Sequence, residues 1–191
     1  MEEYLMLPVI YSMSVSLDGF IAGPDGDISW GAPDPEQFRF HVEQTRHIAA
    51  YLCGRRLYQE MLVWETAEQT MSGEAELEFG RIWRPIPKVV FSRTLSAVAG
   101  DASLATDDIA TEVGRLRDQP GEGVVAIGGA GLAGDAIAED LIDEYRQFVC
   151  PVILGSGTPY FPRLAKPLGL RLIESRTLSS RVVYLRYQRI R

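Results

Sequence analysis

An apolar run that stops at a cluster of glycines is the feature that most constrains the fold of this sequence. Residues 124–127 read Val-Val-Ala-Ile, and residues 128–134 read Gly-Gly-Ala-Gly-Leu-Ala-Gly. Glycine allows a tight turn and close approach of a ligand to the backbone, and a helix N-terminus favours an anion. The segment therefore predicts a strand, a phosphate-binding loop, and a helix from about Leu132 to Glu139.

Length and charge limit the kind of protein to which this unit can belong. The chain has 191 residues, which favours a single α/β domain spanning residues 1–191. The formal net charge of -7 argues against nucleic acid as the main partner, since phosphate backbones are bound by basic surfaces. Cys53 and Cys150 lie inside apolar runs and are expected to be buried thiols.

Targeting signals are not evident in the sequence. No apolar run approaches the length of a membrane span, so no membrane partner is expected. The segment 1–4 (Met-Glu-Glu-Tyr) is acidic where a signal peptide would be basic. We therefore expect a cytoplasmic protein.

Hydrophobic periodicity divides the chain into alternating strands and helices. Strands are expected at 7–15, 50–53, 88–91, 102–105 and 143–149. Helices are expected at 34–48, from residue 55 onward and at 107–119, whereas the polar stretch 64–87 is expected to be a helix end and a loop. Residues 170–178 and 182–189 alternate around Ser179-Ser180, which predicts an antiparallel hairpin. This order predicts a largely parallel sheet covered on both faces, with antiparallel C-terminal strands.

The glycine run also matches the dinucleotide-binding pattern G-x-G-x-x-G at residues 129–134. A standard Rossmann domain would need an acidic residue about 20 positions later to hold the ribose hydroxyls. Residues 148–154 read Phe-Val-Cys-Pro-Val-Ile-Leu and contain no acid, and at least three strands precede the glycine run. The standard Rossmann interpretation is therefore not favoured.

Five blocks along the chain resemble one superfamily when they are taken in order. They are SVSLDGFIA at 14–22, LCGRRLY at 52–58, VFSRT at 90–94, IGGA at 127–130 and PVILGSG at 151–157. Together they resemble the dihydrofolate reductase-like fold, and in particular the reductase domain at the C-terminus of bacterial riboflavin-biosynthesis deaminase-reductases. The resemblance covers nearly the whole chain and implies a three-layer αβα sandwich.

The resemblance also implies a reduced nicotinamide cofactor, NADPH, across the C-terminal ends of the strands. The implied cofactor-binding residues are Gly128, Gly129, Ala130, Gly131 and Leu132 at the pyrophosphate, Gly54, Arg55 and Arg56 at a second phosphate site, Ser92 and Arg93 at the ribose 2′-phosphate, and Ala22 and Ile28 around the nicotinamide. Independently of the family, a guanidinium is well suited to a phosphate. Taken alone, each arginine is equally explained as a solvated surface group.

Candidate catalytic and substrate-binding residues follow from the same resemblance. The loop from Asp18 to Trp30 would cover the nicotinamide, with Trp30 closing the pocket; Asp18 and Phe20 in this loop and Gly155 and Ser156 in the later turn would contact the substrate. Dihydrofolate reductases place a carboxylic acid near the start of the next helix, which makes Asp34 the candidate proton donor, with Glu36 as the alternative. A helix N-cap explains Asp34 equally well, and a plain turn explains Gly155 and Ser156.

The expected activity is NADPH-dependent transfer of hydride to a pyrimidine or pterin-like heterocycle. Two alternatives stay open, namely a nucleotide-binding module without turnover and a reductase that uses a flavin or deazaflavin carrier on the same scaffold. No metal site is expected, because His41 and His47 lie on one predicted helix without a cluster of Cys or acids at ligand spacing. Related reductase domains tend to pair as homodimers, and the same is expected here through the apolar residues Val182, Val183, Tyr184, Leu185 and Tyr187, which could equally face the core.

Overall fold

A central β-sheet covered by helices on both faces is the framework of the protein, in a computed structural model that describes residues 6–179 and 181–191. Within these residues, eight strands form one sheet in the order β5-β4-β3-β6-β1-β7-β10-β9, and β2 pairs with β8 in a small separate ribbon. The strands are β1 Val9–Ser16, β2 Phe20–Ala22, β3 Ile48–Gly54, β4 Lys88–Phe91, β5 Ala102–Leu104, β6 Val124–Gly128, β7 Glu144–Cys150, β8 Thr158–Pro159, β9 Leu170–Thr177 and β10 Val183–Arg189. The acidic start at residues 1–4 and Ser180 of the predicted hairpin turn lie outside the described residues.

The sheet is parallel from β5 through β7 and antiparallel at its C-terminal end. Strand β1 pairs in parallel with β6 on one side and β7 on the other. Strand β10 runs antiparallel to both β7 and β9. This is the predicted arrangement, and it places the C-terminal ends of β1, β3 and β6 at one edge of the sheet.

Six α-helices in the described chain form the two outer layers: α1 Pro35–Thr45, α2 Arg55–Met61, α3 Ala67–Thr70, α4 Glu74–Trp83, α5 Ile109–Arg117 and α6 Ala130–Ala138. Short 3₁₀ helices span Ser29–Gly31 and Leu62–Thr66. Helices α5 and α6 cover the face that carries Val9, Tyr11 and Val15 of β1. On the opposite face, α1 contacts Phe148 through His41 and α4 contacts Tyr51 through Trp83.

The stretch 64–87 was expected to be irregular, and this expectation is wrong because it contains α3 and α4. The three glutamates of α4 mask a helical apolar face in which Phe79 and Trp83 lie one turn apart and are buried. Lys88 closes the C-terminal end of this helix, donating from Nζ to the carbonyl oxygens of Trp83 at 3.0 Å, Arg84 at 3.2 Å and Ile86 at 2.9 Å. The segment 64–87 therefore contributes to the core.

Helix α1 is shorter than expected, because it ends at Thr45 and β3 already begins at Ile48. His47 therefore lies in the turn between them, whereas His41 is half-buried against Phe148. Burial lowers the pKa of His41 to about 4, so this ring is neutral at physiological pH. Cys53 and Cys150 are free and buried, as expected.

The C-terminal hairpin forms as predicted; two of the five apolar residues expected at its surface are buried, whereas Val183, Leu185 and Tyr187 are half-buried. Val182 is 4% exposed and Tyr184 is fully buried, and both belong to a core cluster with Phe148. Since β10 lies between β7 and β9, the edge strand at this end of the sheet is β9. Alternation in the sequence identifies a strand with an apolar face, but not whether that face meets the chain's own core. Homodimerisation itself stays a prediction.

Candidate functional site

A cavity of about 530 Å³ lies where β1, β3 and β6 end. Its walls come from five parts of the chain: the end of β1 with the loop after it, the 3₁₀ helix Ser29–Gly31, the start of α2, the start of α6 and Thr158 of β8. A cleft at the C-terminal ends of parallel strands is the usual ligand site of α/β folds. Ten of the predicted site residues line this cavity: Ala22, Ile28, Trp30, Gly54, Arg55, Arg56, Gly129, Ala130, Gly131 and Leu132.

The glycine run forms one end of the cavity through the N-terminus of α6. Gly129 is the N-cap, with φ of 97°, a backbone conformation that favours glycine, and it has no side chain to cap the helix. The first hydrogen bond of the helix runs from the N–H of Ala133 to the carbonyl of Gly129 at 2.9 Å. The preceding first-turn N–H groups, at Ala130 to Leu132, therefore face the cavity end without a capping side chain. A Cβ on Gly131 would meet no atom within 4 Å, so this turn borders open space.

The start of α2 lies directly beside this turn. Gly54 is the N-cap of α2, and a Cβ built on Gly129 would lie 3.7 Å from the Cα of Gly54. Arg55 and Arg56 follow, and Arg55 donates to the side chain of Gln59 at 3.1 Å. Two helix N-termini and two guanidiniums thus surround one end of the cavity, an arrangement that fits the pyrophosphate of a dinucleotide.

Gly128 packs against α2, and its predicted contact with a pyrophosphate stays a prediction. It is buried and does not line the cavity. A Cβ on Gly128 would come within 2.0 Å of Cδ2 of Leu57, so the glycine provides room for the start of α2 to pack on the end of β6. Its effect on the phosphate end is therefore indirect, through the position of α2.

The other end of the cavity is mainly apolar. It is formed by Met13, Ile21, Ala22, Ile28 and Trp30. The indole N–H of Trp30 donates to the carbonyl of Asp27 at 3.0 Å, which fixes the ring, and the ring also packs against the cluster that contains Phe148. Such a surface can hold a flat aromatic ring and keep water away from it.

Asp18 and Gly155 were predicted to contact substrate, and the structure brings them together outside the cavity lining. The carboxylate of Asp18 accepts hydrogen bonds from the hydroxyl of Ser16 at 2.7 Å and from the N–H groups of Leu154 at 3.1 Å and Gly155 at 2.7 Å. These bonds, with that of Ser16 the largest, lower the pKa of Asp18. Asp18 thus ties the loop after β1 to the loop after β7.

This tie supports the cavity wall made by β2 and β8. Ala22 pairs with Thr158, and both line the cavity. Gly157 has φ of 141°, and a Cβ there would lie 2.0 Å from the carbonyl oxygen of Ala22. Phe20 is half-buried and pairs with Pro159, whereas Ser156 is exposed; neither lines the cavity.

Asp34 does not line the cavity, and both of its carboxylate oxygens are engaged elsewhere. Oδ1 accepts from the N–H of Gln37 at 2.8 Å and Oδ2 from the hydroxyl of Ser179 at 2.8 Å. The Gln37 bond, followed by that of Ser179, lowers the pKa of Asp34. Glu36 accepts from the N–H of Ser179 at 2.7 Å, and its pKa is lowered as well. The geometry gives Asp34 an N-cap role; a role in catalysis stays a prediction.

Ser92 and Arg93 also lie outside the cavity lining. The hydroxyl of Ser92 accepts from the N–H groups of Thr94 at 3.1 Å and Leu95 at 2.9 Å, so it caps its own turn, and Arg93 is exposed. A shallower hollow of about 340 Å³ shares Leu132 with the main cavity and is lined by Phe91, Ile109 and the carboxylates of Asp107, Asp108, Asp135 and Glu139. The negative charge of these side chains would repel a 2′-phosphate, which favours a positively charged site.

Sequence reasoning missed several residues of the cavity. They are Met13, Ser14, Ile21, Gly26, Gly31, Leu57, Glu60 and Thr158. Glu60 is the one carboxylate in the lining among the described residues, and its helical spacing of four from Arg56 could have indicated a shared face. Within the described chain, no cluster of His, Cys, Asp and Glu could hold a metal ion, and no helix is long and apolar enough to span a membrane.

Comparison with known proteins relates the chain to one family. Residues 8–184 match the family model of the RibD C-terminal domain. The uncharacterized protein YyaP of Bacillus subtilis strain 168 is 33% identical over 180 residues, which are 94% of this chain and 93% of YyaP.

Solved structures show the same fold. A candidate riboflavin biosynthesis protein from Shewanella sp. PV-4 superposes with a TM-score of 0.74 at 23% identity, covering 97% of this chain and 100% of that chain. Dihydrofolate reductase from Enterococcus faecalis, complexed with NADP(H) and RAB-propyl, gives a TM-score of 0.61 at 13% identity, covering 95% of this chain and 96% of that chain. The architecture is thus dihydrofolate reductase-like, as the sequence blocks predicted.

Proposed function

Because the chain belongs to the RibD C-terminal domain family, we propose that it is a reductase that uses NADPH to transfer hydride to a pyrimidine or pterin-like heterocycle. The observation that carries the proposal is the end of the cavity at which the N-terminus of α6 and the start of α2 meet, with Arg55 and Arg56 beside them. The cavity continues from there to an apolar end beside Trp30, so charged and flat parts of one ligand both have a matching surface.

Each group of residues has a defined task in this proposal. The N–H groups at the start of α6 and the two guanidiniums bind the pyrophosphate. Ala22, Ile28 and Trp30 hold the nicotinamide ring and exclude water from it. When bound, the cofactor supplies the hydride, and the protein contributes orientation and electrostatics. The described relatives support this assignment through a riboflavin biosynthesis protein and a reductase bound to NADP(H).

Titration with NADPH tests the proposal directly. We expect quenching of tryptophan fluorescence with energy transfer to the reduced nicotinamide, because Trp30 lines the cavity. The double variant R55A/R56A should bind NADPH at least about tenfold more weakly, since a hydrogen bond to a charged group contributes about 1.5–3 kcal/mol. R171A, on the edge strand β9, is the matched control and should bind like the wild type.

Four results would speak against the proposal. Absence of NADPH binding would refute it, and so would equal binding by the wild type and R55A/R56A. Binding without oxidation of NADPH across a panel of pterins and ribosylaminopyrimidines would favour a nucleotide-binding module without turnover. A preparation that carries a flavin or deazaflavin, identified by its absorption spectrum, would favour the other redox carrier.

A further inference from the structure

Helix α2 carries the two arginines of the cavity's phosphate end, but it is too short to fix its own position. It spans the seven residues Arg55–Met61, and a helix of this length is held by tertiary packing more than by its own hydrogen bonds. Arg55 and Arg56 both line the cavity. The contacts that hold α2 on the sheet therefore determine where the two guanidiniums lie relative to a bound phosphate.

Leu57 makes the first of these contacts, at the end of β6. Its side chain occupies the space that a Cβ on Gly128 would need, since that Cβ would come within 2.0 Å of Cδ2 of Leu57. The contact is apolar and involves a residue without a side chain. It sets the distance between α2 and β6, but it does little to prevent the helix from turning about its own axis.

Tyr58 makes the second contact and reaches a different part of the chain. It is 3% exposed and packs in a core cluster with Cys53 of β3 and Val90 of β4. Its hydroxyl donates to the carbonyl oxygen of Ala99 at 3.0 Å and accepts from the N–H of the same residue at 2.6 Å. Ala99 lies in the loop 92–101 between β4 and β5. The hydroxyl thus acts as donor and acceptor toward one residue, which fixes the direction of the ring.

Within the described residues, this hydroxyl is the one hydrogen-bonding link between a side chain of α2 and another element. Arg55 donates to Gln59 at 3.1 Å, but that bond stays inside the helix. Successive residues of a helix lie about 100° apart around its axis. Leu57 and Tyr58 therefore hold α2 from two directions, and the Tyr58 link opposes rotation of the helix.

We propose that Tyr58 is a positioning residue for cofactor binding: its hydroxyl, held by Ala99, sets the rotation of α2 and thereby aims Arg55 and Arg56 at the pyrophosphate. This inference rests on the proposed function, because it takes the pyrophosphate of NADPH as the ligand of these arginines. A guanidinium binds phosphate oxygens through N–H groups in a fixed geometry, so a small rotation of the helix is sufficient to weaken the contact. Tyr58 does not line the cavity and acts through the two arginines.

Removal of the Tyr58 hydroxyl tests the assignment, with NADPH affinity measured by calorimetry. Y58F keeps the buried ring and loses both bonds to Ala99, and it should bind NADPH about fivefold more weakly, which corresponds to the net contribution of one hydrogen bond. Y160F is the matched control, because Tyr160 is also buried and its hydroxyl lies 3.0 Å from the carbonyl oxygen of Tyr11 and 3.2 Å from that of Arg146. Y160F should bind NADPH like the wild type.

Two comparisons separate positioning from a general loss of stability. The triple variant R55A/R56A/Y58F should bind NADPH as weakly as R55A/R56A, because Tyr58 acts only through the arginines. The NADPH affinity of Y58F should also fall less steeply with salt concentration than that of the wild type, because fewer guanidinium–phosphate contacts are left to be screened.

Equal NADPH affinity in the wild type and Y58F would overturn the role of Tyr58. A further loss when Y58F is added to R55A/R56A, or the same salt dependence in Y58F and the wild type, would do so as well. Failure of the wild type to bind NADPH would instead refute the proposed function. Titration with inorganic pyrophosphate would then test Tyr58 by itself, with weaker binding expected in Y58F and equal binding counting against the role.

Discussion

Replacement of Gly157 by alanine should damage the cavity wall more than the same replacement at Gly155, two residues away. Both glycines have positive φ, 141° at Gly157 and 77° at Gly155, so each alanine incurs backbone strain of about 1–3 kcal/mol. Only at Gly157 does the new Cβ collide with backbone, 2.0 Å from the carbonyl oxygen of Ala22, whereas at Gly155 it meets nothing within 4 Å. The collision adds a cost of about 1–3 kcal/mol, because a backbone atom has to move.

Thermal unfolding followed by circular dichroism measures this difference. For a chain of this size about 1 kcal/mol corresponds to about 2–4 °C, so G157A should melt about 2–12 °C below G155A. Because the colliding carbonyl belongs to Ala22, which lines the cavity, G157A should also weaken NADPH binding, whereas G155A should not. Melting temperatures that agree within about 1 °C, or equal NADPH affinities, would refute the proposed packing of β8 on β2.

Two further predictions concern Lys88 and Asp34. K88M should lower the free energy of unfolding by about 3–5 kcal/mol in urea, because it leaves three carbonyls at the end of α4 without their hydrogen-bond donor. K166M is the control and should have little effect, because Lys166 is exposed. Equal losses in the two variants would contradict the role of Lys88 in holding the end of α4. D34A should be less stable than the wild type above about pH 4, because hydrogen bonds lower the folded-state pKa of Asp34 and the ionised carboxylate stabilises the fold. At lower pH the carboxyl of the wild type is protonated, and the difference in stability between the two proteins should disappear. D34N can still accept from Gln37 and should keep kcat; a large drop in its kcat without a loss of stability would indicate catalysis instead of capping.

The fold and the glycine-lined end of the cavity could be predicted from the sequence because backbone geometry determines both. Glycines that end buried strands leave a local pattern, and the run around Gly129 predicted the start of α6 to within two residues, at Leu132 instead of Ala130. Helix α4 was missed because its glutamates obscure the helical spacing of Phe79 and Trp83 in the sequence. In the structure these two residues form the apolar face of α4 and share a core cluster with Val42 of α1.

The partners of the candidate polar residues could not be predicted in the same way, because they are distant in the sequence. A sequence shows that Asp34 can be either a helix cap or an acid, and only the position of Ser179, 145 residues later, shows where its second oxygen is engaged. The same applies to Asp18, whose partners at Leu154 and Gly155 lie 136 and 137 residues away. Glu60 carries no motif at all, and its access to the cavity depends on the direction in which α2 leaves β3.

The central position of β1 has a consequence for the order in which the protein can be completed during synthesis. This strand is made before the other strands of the sheet, yet its two neighbours, β6 and β7, come later in the chain than β3, β4 and β5. The contacts from Asp18 to Leu154 and Gly155 form later still. A nascent chain therefore has to protect at least one open edge of this apolar strand until β7 has been made, and such edges are prone to aggregation. The ligand cavity is complete only after β8, which contributes Thr158 to its wall, has also been made.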